Sequence, residues 1–146
     1  MRRIADHLLW VGNVGDVRDL GRIHAADIRV LVDLAMSERP AIPSRELVYC
    51  RFPLLDGSGN SPWVLRAAVA AVAGFLRASV PTLVFCGAGM SRSPAVAALA
   101  LSQAFGQSAG ECLDLIVGTG PMDVSAGLWR DLIAATDEGF GAEGSI

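Results

Sequence analysis

Residues 83–105 constrain the chain more than any other stretch, because a buried apolar strand, a glycine-containing loop and an alanine-rich helix follow without interruption. Leu83, Val84 and Phe85 form the strand run. Residues 86–92, Cys-Gly-Ala-Gly-Met-Ser-Arg, form the loop, and Ser93 and Pro94 open the helix. Gly87 and Gly89 let loop amides turn toward a common centre, since glycine tolerates positive φ. Pro94 suits a first helical turn, where a missing N–H costs nothing. Amides converging above a helix N-terminus make an anion site, because unpaired donors and the helix dipole act together. Cys86 opens that loop and Arg92 closes it. A thiol so placed ionises readily, and a guanidinium offers two parallel donors to phosphate oxygens. The expected chemistry is thiolate attack on a phosphate ester cradled by Gly87, Ala88, Gly89, Met90, Ser91 and Arg92.

The run from Cys86 to Ser93 resembles the Cys-x5-Arg signature loop of the cysteine-based phosphatases. Its Ala88-Gly89-x-Ser91-Arg92-Ser93-Pro94 portion most resembles the dual-specificity branch. Residues 4–13, Ile-Ala-Asp-His-Leu-Leu-Trp-Val-Gly-Asn, are similar to the start of such domains. Covering nearly the whole chain, the resemblance implies an α/β fold with a central mixed sheet of about five strands flanked by helices. It implies Cys86 as nucleophile, Arg92 as clamp on the phosphate oxygens, and a phosphocysteine intermediate. Ser93 matches the family hydroxyl that hydrogen-bonds the sulfur; read alone, it is a helix cap. One position departs from the pattern. Phe85 stands where the family places a histidine that braces the loop, and a phenyl side chain donates no hydrogen bond.

Asp56 followed by Gly57 is, taken alone, a turn pair. Its position changes that reading. It lies in the turn-rich loop of residues 53–60, thirty residues before Cys86, where the resemblance implies a general acid. A departing alkoxide or phenoxide needs a proton, because its own basicity makes unaided departure slow. Gly57 and Gly59 would let this loop move over a bound ester.

The remaining pattern predicts strands over residues 7–11, 29–34 and 47–52. A helix is expected over 16–25, with Val17, Leu20 and Ile23 facing inward and His24 partly buried. A second runs over 63–76, with Ser61 as cap and Pro62 at its first position. The signature helix runs over 94–105 with Gly106 as C-cap, and Ser108 with Glu111 has capping-box spacing for a helix to 116. Residues 124–128 stand where the family has an Asn-Pro-Gly-Phe-like run, and they match it only loosely. Ser125 reads instead as the cap of a helix over 126–136, and no functional residue is carried over there. The chain reads as a single domain over 1–140 with a frayed tail at 141–146.

Composition excludes several classes. At 146 residues the chain suits one domain. Hydrophobic residues make up 52 %, which invites a membrane reading, but Pro, Gly, Ser and Gln interrupt every run short of a span. The start lacks the apolar core of a signal peptide, so a cytoplasmic protein is expected. Net charge is −3 and all 12 basic residues are dispersed arginines, which leaves no stripe for nucleic acid or an anionic membrane. Cys50, Cys86 and Cys112 lack metal-ligand spacing, and with two histidines no metal or cofactor is expected. The thiols read as reduced, Cys50 and Cys112 as core, with a Cys50–Cys86 disulfide as a lesser option.

The expected partner is a phosphorylated protein, bound by a monomer. No segment resembles the phosphotyrosine-recognition loop of the larger tyrosine-specific domains, which favours a shallow pocket accepting phosphotyrosine and also phosphoserine or phosphothreonine. Phosphoinositide-directed relatives tend to carry lysine in the loop, and residues 87–91 have none. Scattered charge argues against RNA phosphatases, and a nucleophile at position 86 argues against the low-molecular-weight branch. Two other readings stay open. One is a non-catalytic phosphate-binding module, since Phe85 removes the brace. The other is a sulfur-transfer enzyme using a cysteine persulfide, in which Asp56 and Ser93 would have no role.

Overall fold

The computed structural model describes residues 1–41 and 43–144. Strands β1 (Arg2–Arg3), β2 (Leu9–Asn13), β3 (Val30–Asp33), β4 (Val48–Arg51) and β5 (Thr82–Cys86) form one sheet in the order β1-β2-β5-β3-β4. β1 pairs antiparallel with β2, and the other pairings are parallel. The five-stranded mixed sheet expected from the resemblance is present. β5 sits at its centre with all five residues buried, which is why its sequence is apolar almost throughout.

Side chains alternate across the sheet, as strand geometry requires. Leu9, Val11, Val30, Val32, Val84 and Cys86 enter the larger core. Helices α2 (Pro62–Arg77), α3 (Arg92–Phe105), α4 (Ala109–Val117) and α5 (Ala126–Gly144) cover this face. Trp10, Leu31, Leu83 and Phe85 enter a smaller cluster with Val17 and Ile23, beside α1 (Leu20–Ala25). Phe85 and Cys86, adjacent in sequence, therefore serve opposite faces. On α2 the stripe Leu65, Val69, Val72 and Leu76 is buried at helical spacing, each side chain contributing about 1.5–3 kcal/mol relative to exposure. α3 is buried from Ser93 to Leu101, and its alanines let α2 and the sheet approach closely.

Several boundaries differ from the sequence expectation for local reasons. The helix expected over 16–25 splits into a 3-10 turn (Asp16–Arg18) and α1, because the Asp19 side chain accepts from Arg22 N–H and caps a new start. His24 is exposed rather than partly buried, with its ring 3.2 Å from Ser44 Oγ. The Ser61 side chain makes no capping bond, so Pro62 at the first position is the remaining start signal of α2. Gly106 is the left-handed C-cap of α3, and Ser108 caps α4 by accepting from Glu111 N–H. α5 continues past Thr136 to Gly144; residues 141–144, expected as tail, are its end, and 145–146 lie outside the described residues. No helix among the described residues is long and apolar enough to cross a membrane.

The three cysteines are free. Cys50 aligns with Val32 and, across β3, with Val84. Cys86 is thus two strand spacings away and further along, a Cα separation of at least about 10 Å, too far for a disulfide.

Candidate active site

Register places the ends of β2, β5, β3 and β4 on one edge, since Asn13 aligns with Cys86, and Asp33 with both Phe85 and Arg51. The loops that follow these strands converge there, as they do at the carboxyl ends of parallel sheets generally. Parallel topology thus brings residues after β4 and after β5 together, although thirty positions separate Asp56 from Cys86. A cavity of about 210 Å³ lies at this edge, lined by Asp56, Cys86, Ala88, Met90, Ser91, Arg92 and Asp123.

Cys86 is 2 % exposed. Its Sγ lies 3.3 Å from Ser93 Oγ, which lies 3.4 Å from the Gly12 carbonyl oxygen. Ser93 is fully buried within the first turn of α3. It makes no helix cap; its hydroxyl spans Cys86 and β2. With a thiol, Sγ can donate to Ser93 Oγ while the hydroxyl donates to Gly12 O. With a thiolate, the hydroxyl can swing its proton to sulfur, a charge-assisted bond roughly twice as strong.

Arg92 Nη1 donates to Leu54 O at 3.1 Å, while its buried Nε has no protein partner. The guanidinium is thereby anchored to the chain two residues before Asp56, with a donor left for a ligand. Among the described residues, none accepts from the backbone N–H groups of residues 87–91. Backbone donors without a protein acceptor, in a glycine-containing loop beside a cavity, suit an anion. Gly89 has φ +73°, and a Cβ there would lie 2.7 Å from Gly12 O. Gly87 leaves room for the Glu38 carboxylate, whose Oε1 occupies the space a Cβ would take. Gly87 and Gly89 thus shape the loop without lining the cavity.

Asp56 is exposed at the rim. Its loop is tied internally by Asn60, whose Oδ1 accepts from Leu55 N–H at 2.8 Å and whose Nδ2 donates to Leu55 O at 3.0 Å and Gly57 O at 3.4 Å. Asp131 on α5 accepts from Gly59 N–H at 3.2 Å. The segment before α5 ties into the signature loop. Asp123 N–H donates to Met90 O at 2.8 Å and Ser125 N–H to Ser91 Oγ at 2.9 Å. Ser125 also accepts from Leu128 N–H at 3.4 Å, as a helix cap does.

Cys50, Cys112, Asp33 and Tyr49 are not among the residues that line the cavity. Burial pushes the Cys50 thiol up, and burial with the nearby Glu111 carboxylate pushes Cys112 up, which keeps both protonated and poorly nucleophilic at neutral pH. Asp33 is 2 % exposed; it accepts from Ala35 N–H at 2.9 Å and from the Tyr49 hydroxyl. Burial, followed by that bond, pushes Tyr49 up to about 12.

Of the residues expected at the site, Asp56, Cys86, Ala88, Met90, Ser91 and Arg92 line one cavity, Ser93 lies against Cys86, and Gly87 and Gly89 lie outside the lining. The sequence alone did not point to Asp123, Glu38 or Asn60. Asp123 lay in the segment of loose family match, and the Asn60 signal was an amide four residues after an aspartate in a turn-rich loop. Glu38 follows a strand, and nothing in the sequence relates it to Gly87.

Neither a family sequence model nor the sequence of a curated protein matches the chain. Solved structures do. Human DUSP28 is 22 % identical over 98 % of this chain and 99 % of its own, with a TM-score of 0.83. A mouse putative dual specificity phosphatase complexed with zinc tungstate is 23 % identical over 98 % of this chain and 89 % of its own, with a TM-score of 0.81. Human tyrosine phosphatase-like serine/threonine/tyrosine-interacting protein is 17 % identical over 96 % and 97 %, with a TM-score of 0.80. This five-stranded sheet order, with its flanking helices, is the fold of the dual-specificity phosphatases.

Proposed function

We propose that the chain is a cysteine-dependent phosphatase that hydrolyses phosphate monoesters, taking phosphotyrosine and also phosphoserine or phosphothreonine on proteins. One observation carries the reading: Cys86, Arg92 and Asp56, supplied by separate elements, line a single cavity. In the first step Cys86 Sγ attacks phosphorus, the P–O bond to the substrate breaks, and the Asp56 carboxyl gives its proton to the departing oxygen. Arg92 and the amides of residues 87–91 hold the equatorial oxygens as charge redistributes. In the second step water attacks phosphorus, Asp56 takes the water's proton, and the S–P bond breaks. The thiolate leaves against the Ser93 hydroxyl. These steps call on no metal or cofactor. The same reading makes the protein a cytoplasmic monomer, and three free cysteines suit a reducing compartment.

The test is hydrolysis of a generic aryl phosphate between about pH 5 and 8, the range in which such acid–base pairs operate. Wild type is compared with Cys86→Ser and Asp56→Asn. Turnover lost in the first variant and an altered pH profile in the second are the expected results. A second reading rests on Phe85, buried among apolar side chains with no polar group to brace the loop. It makes the domain a phosphate-binding module; tight tungstate binding without turnover would favour it.

A further inference from the structure

The charges around the cavity are lopsided. Among the described residues that line it, Arg92 is the one cation, against the carboxylates of Asp56 and Asp123 and the Cys86 sulfur. Arg92 donates to the Leu54 carbonyl through Nη1, and on the phosphatase reading its unpartnered Nε is left for the phosphate. Nothing cationic in the lining remains for the groups beside the phosphate. Asp56 carries a proton when it acts as acid, which leaves Asp123 as the standing negative charge at the rim. Glu38, against Gly87, adds another near the start of the loop. Asp123 is held in place, because its N–H is bound to Met90 O at 2.8 Å. Its side chain is exposed, so it meets whatever flanks the phosphorylated residue. Ala88 and the exposed Met90 offer apolar contact suited to a phenyl ring.

We propose that Asp123 is a specificity-determining residue, selecting phosphotyrosine peptides with arginine or lysine beside the phosphorylated residue and disfavouring acidic flanks. The proposal rests on the phosphatase reading for the location of the phosphate, and it names the class of substrate. The carboxylate attracts a flanking cation and repels a flanking carboxylate over distances within a Debye length, about 8 Å at physiological salt. Exposed pairs of this kind are individually weak. A preference of about threefold to tenfold is therefore expected, summed over the flanking positions and both signs of charge.

The experiment uses the full chain carrying Cys86→Ser and two fluorescein-labelled phosphotyrosine peptides, identical except for arginine or aspartate on either side of the phosphotyrosine. Anisotropy titrations give both affinities at low and high salt. The arginine peptide should bind more tightly at low salt, and the preference should shrink as salt rises. Adding Asp123→Asn should reduce it and Asp123→Arg should invert it. Equal affinities, or a preference untouched by Asp123→Arg, overturn the proposal. Wild-type kcat/KM on the same peptides gives a second measure that does not depend on the serine variant. Turnover of aryl phosphate with equal peptide affinities removes the selectivity alone. A charge preference that follows Asp123, in a protein without turnover, removes the phosphatase reading and sustains the selectivity.

Discussion

The Cys86 sulfur and the Ser93 hydroxyl oxygen lie 3.3 Å apart, one at the last residue of the central strand and the other in the first turn of the next helix. On the proposed mechanism, a hydroxyl so placed steadies the sulfur as a thiolate when it leaves phosphorus. Hydrogen bonds to charged groups are worth about 1.5–3 kcal/mol. Ser93→Ala should therefore lower kcat by roughly tenfold to a hundredfold. The loss should fall on phosphocysteine hydrolysis, so stopped-flow traces should show a burst of released phenol before a slow steady state. Loss without a burst would place the hydroxyl's role in the first step.

Asn60 makes three side-chain bonds within the loop that carries Asp56. Asn60→Ala should leave that carboxyl poorly aimed without removing it. Esters with weakly basic leaving groups depart unaided and should lose little. Esters with strongly basic ones should lose about tenfold or more. The measurement is kcat/KM across a series of substituted phenyl phosphates, where the variant should show a steeper dependence on leaving-group basicity. An unchanged slope would make Asn60 structural only.

Phe85 faces the smaller apolar cluster with Trp10, Ile23 and Leu31. Phe85→His should therefore cost stability, by roughly 2–4 kcal/mol for a polar ring in that setting, and lower Tm by about 5–15 °C. Where the imidazole braces the loop, kcat should rise and Cys86 should react faster with iodoacetamide at mildly acidic pH. A lower Tm with neither gain would show that this loop works without the brace.

Tyr49 is the chain's one tyrosine, so phenolate absorbance reports its titration without interference. It should titrate near 12 in the folded protein instead of 10.0, through burial first and then its bond to Asp33. With the folded value raised, the stability linked to this proton is fully present below about pH 10 and is lost as pH climbs through about 12. Tyr49→Phe should abolish that alkaline slope. At neutral pH it should cost about 1–3 kcal/mol, because the buried Asp33 oxygen loses its donor. Urea titrations at neutral and alkaline pH measure both.

What the sequence made legible was whatever local chemistry or an even spacing encodes. The loop from Cys86 to Arg92, the apolar runs and the Gly106 cap each follow from residues within a turn or two of one another. Asp56 was legible through its distance from Cys86 together with family resemblance. The losses are of another kind. β1 is two arginines paired to β2, without any apolar alternation to announce it. Asp123 reaches the cavity through backbone bonds to a loop over thirty positions earlier, and no periodicity carries that relation. The break at Asp19 was visible in principle, since an aspartate three residues before Arg22 is a capping geometry, but the continuous apolar face concealed it.

The contact between Gly89 and Gly12 has a consequence for where the site begins. A Cβ on Gly89 would lie 2.7 Å from the Gly12 carbonyl oxygen, which accepts from the Ser93 hydroxyl. A Cβ on Gly12 would lie 2.6 Å from Asp16 Oδ2, the atom that holds Asn13 N–H and the N-terminal ammonium. The signature motif is thus half of a two-part casting whose other half is the end of β2. Transplanting residues 86–94 into a different sheet would carry Cys86 away from its seat. Gly12→Ala, at what reads as an ordinary strand position, should impair oxyanion binding as a substitution within the loop would.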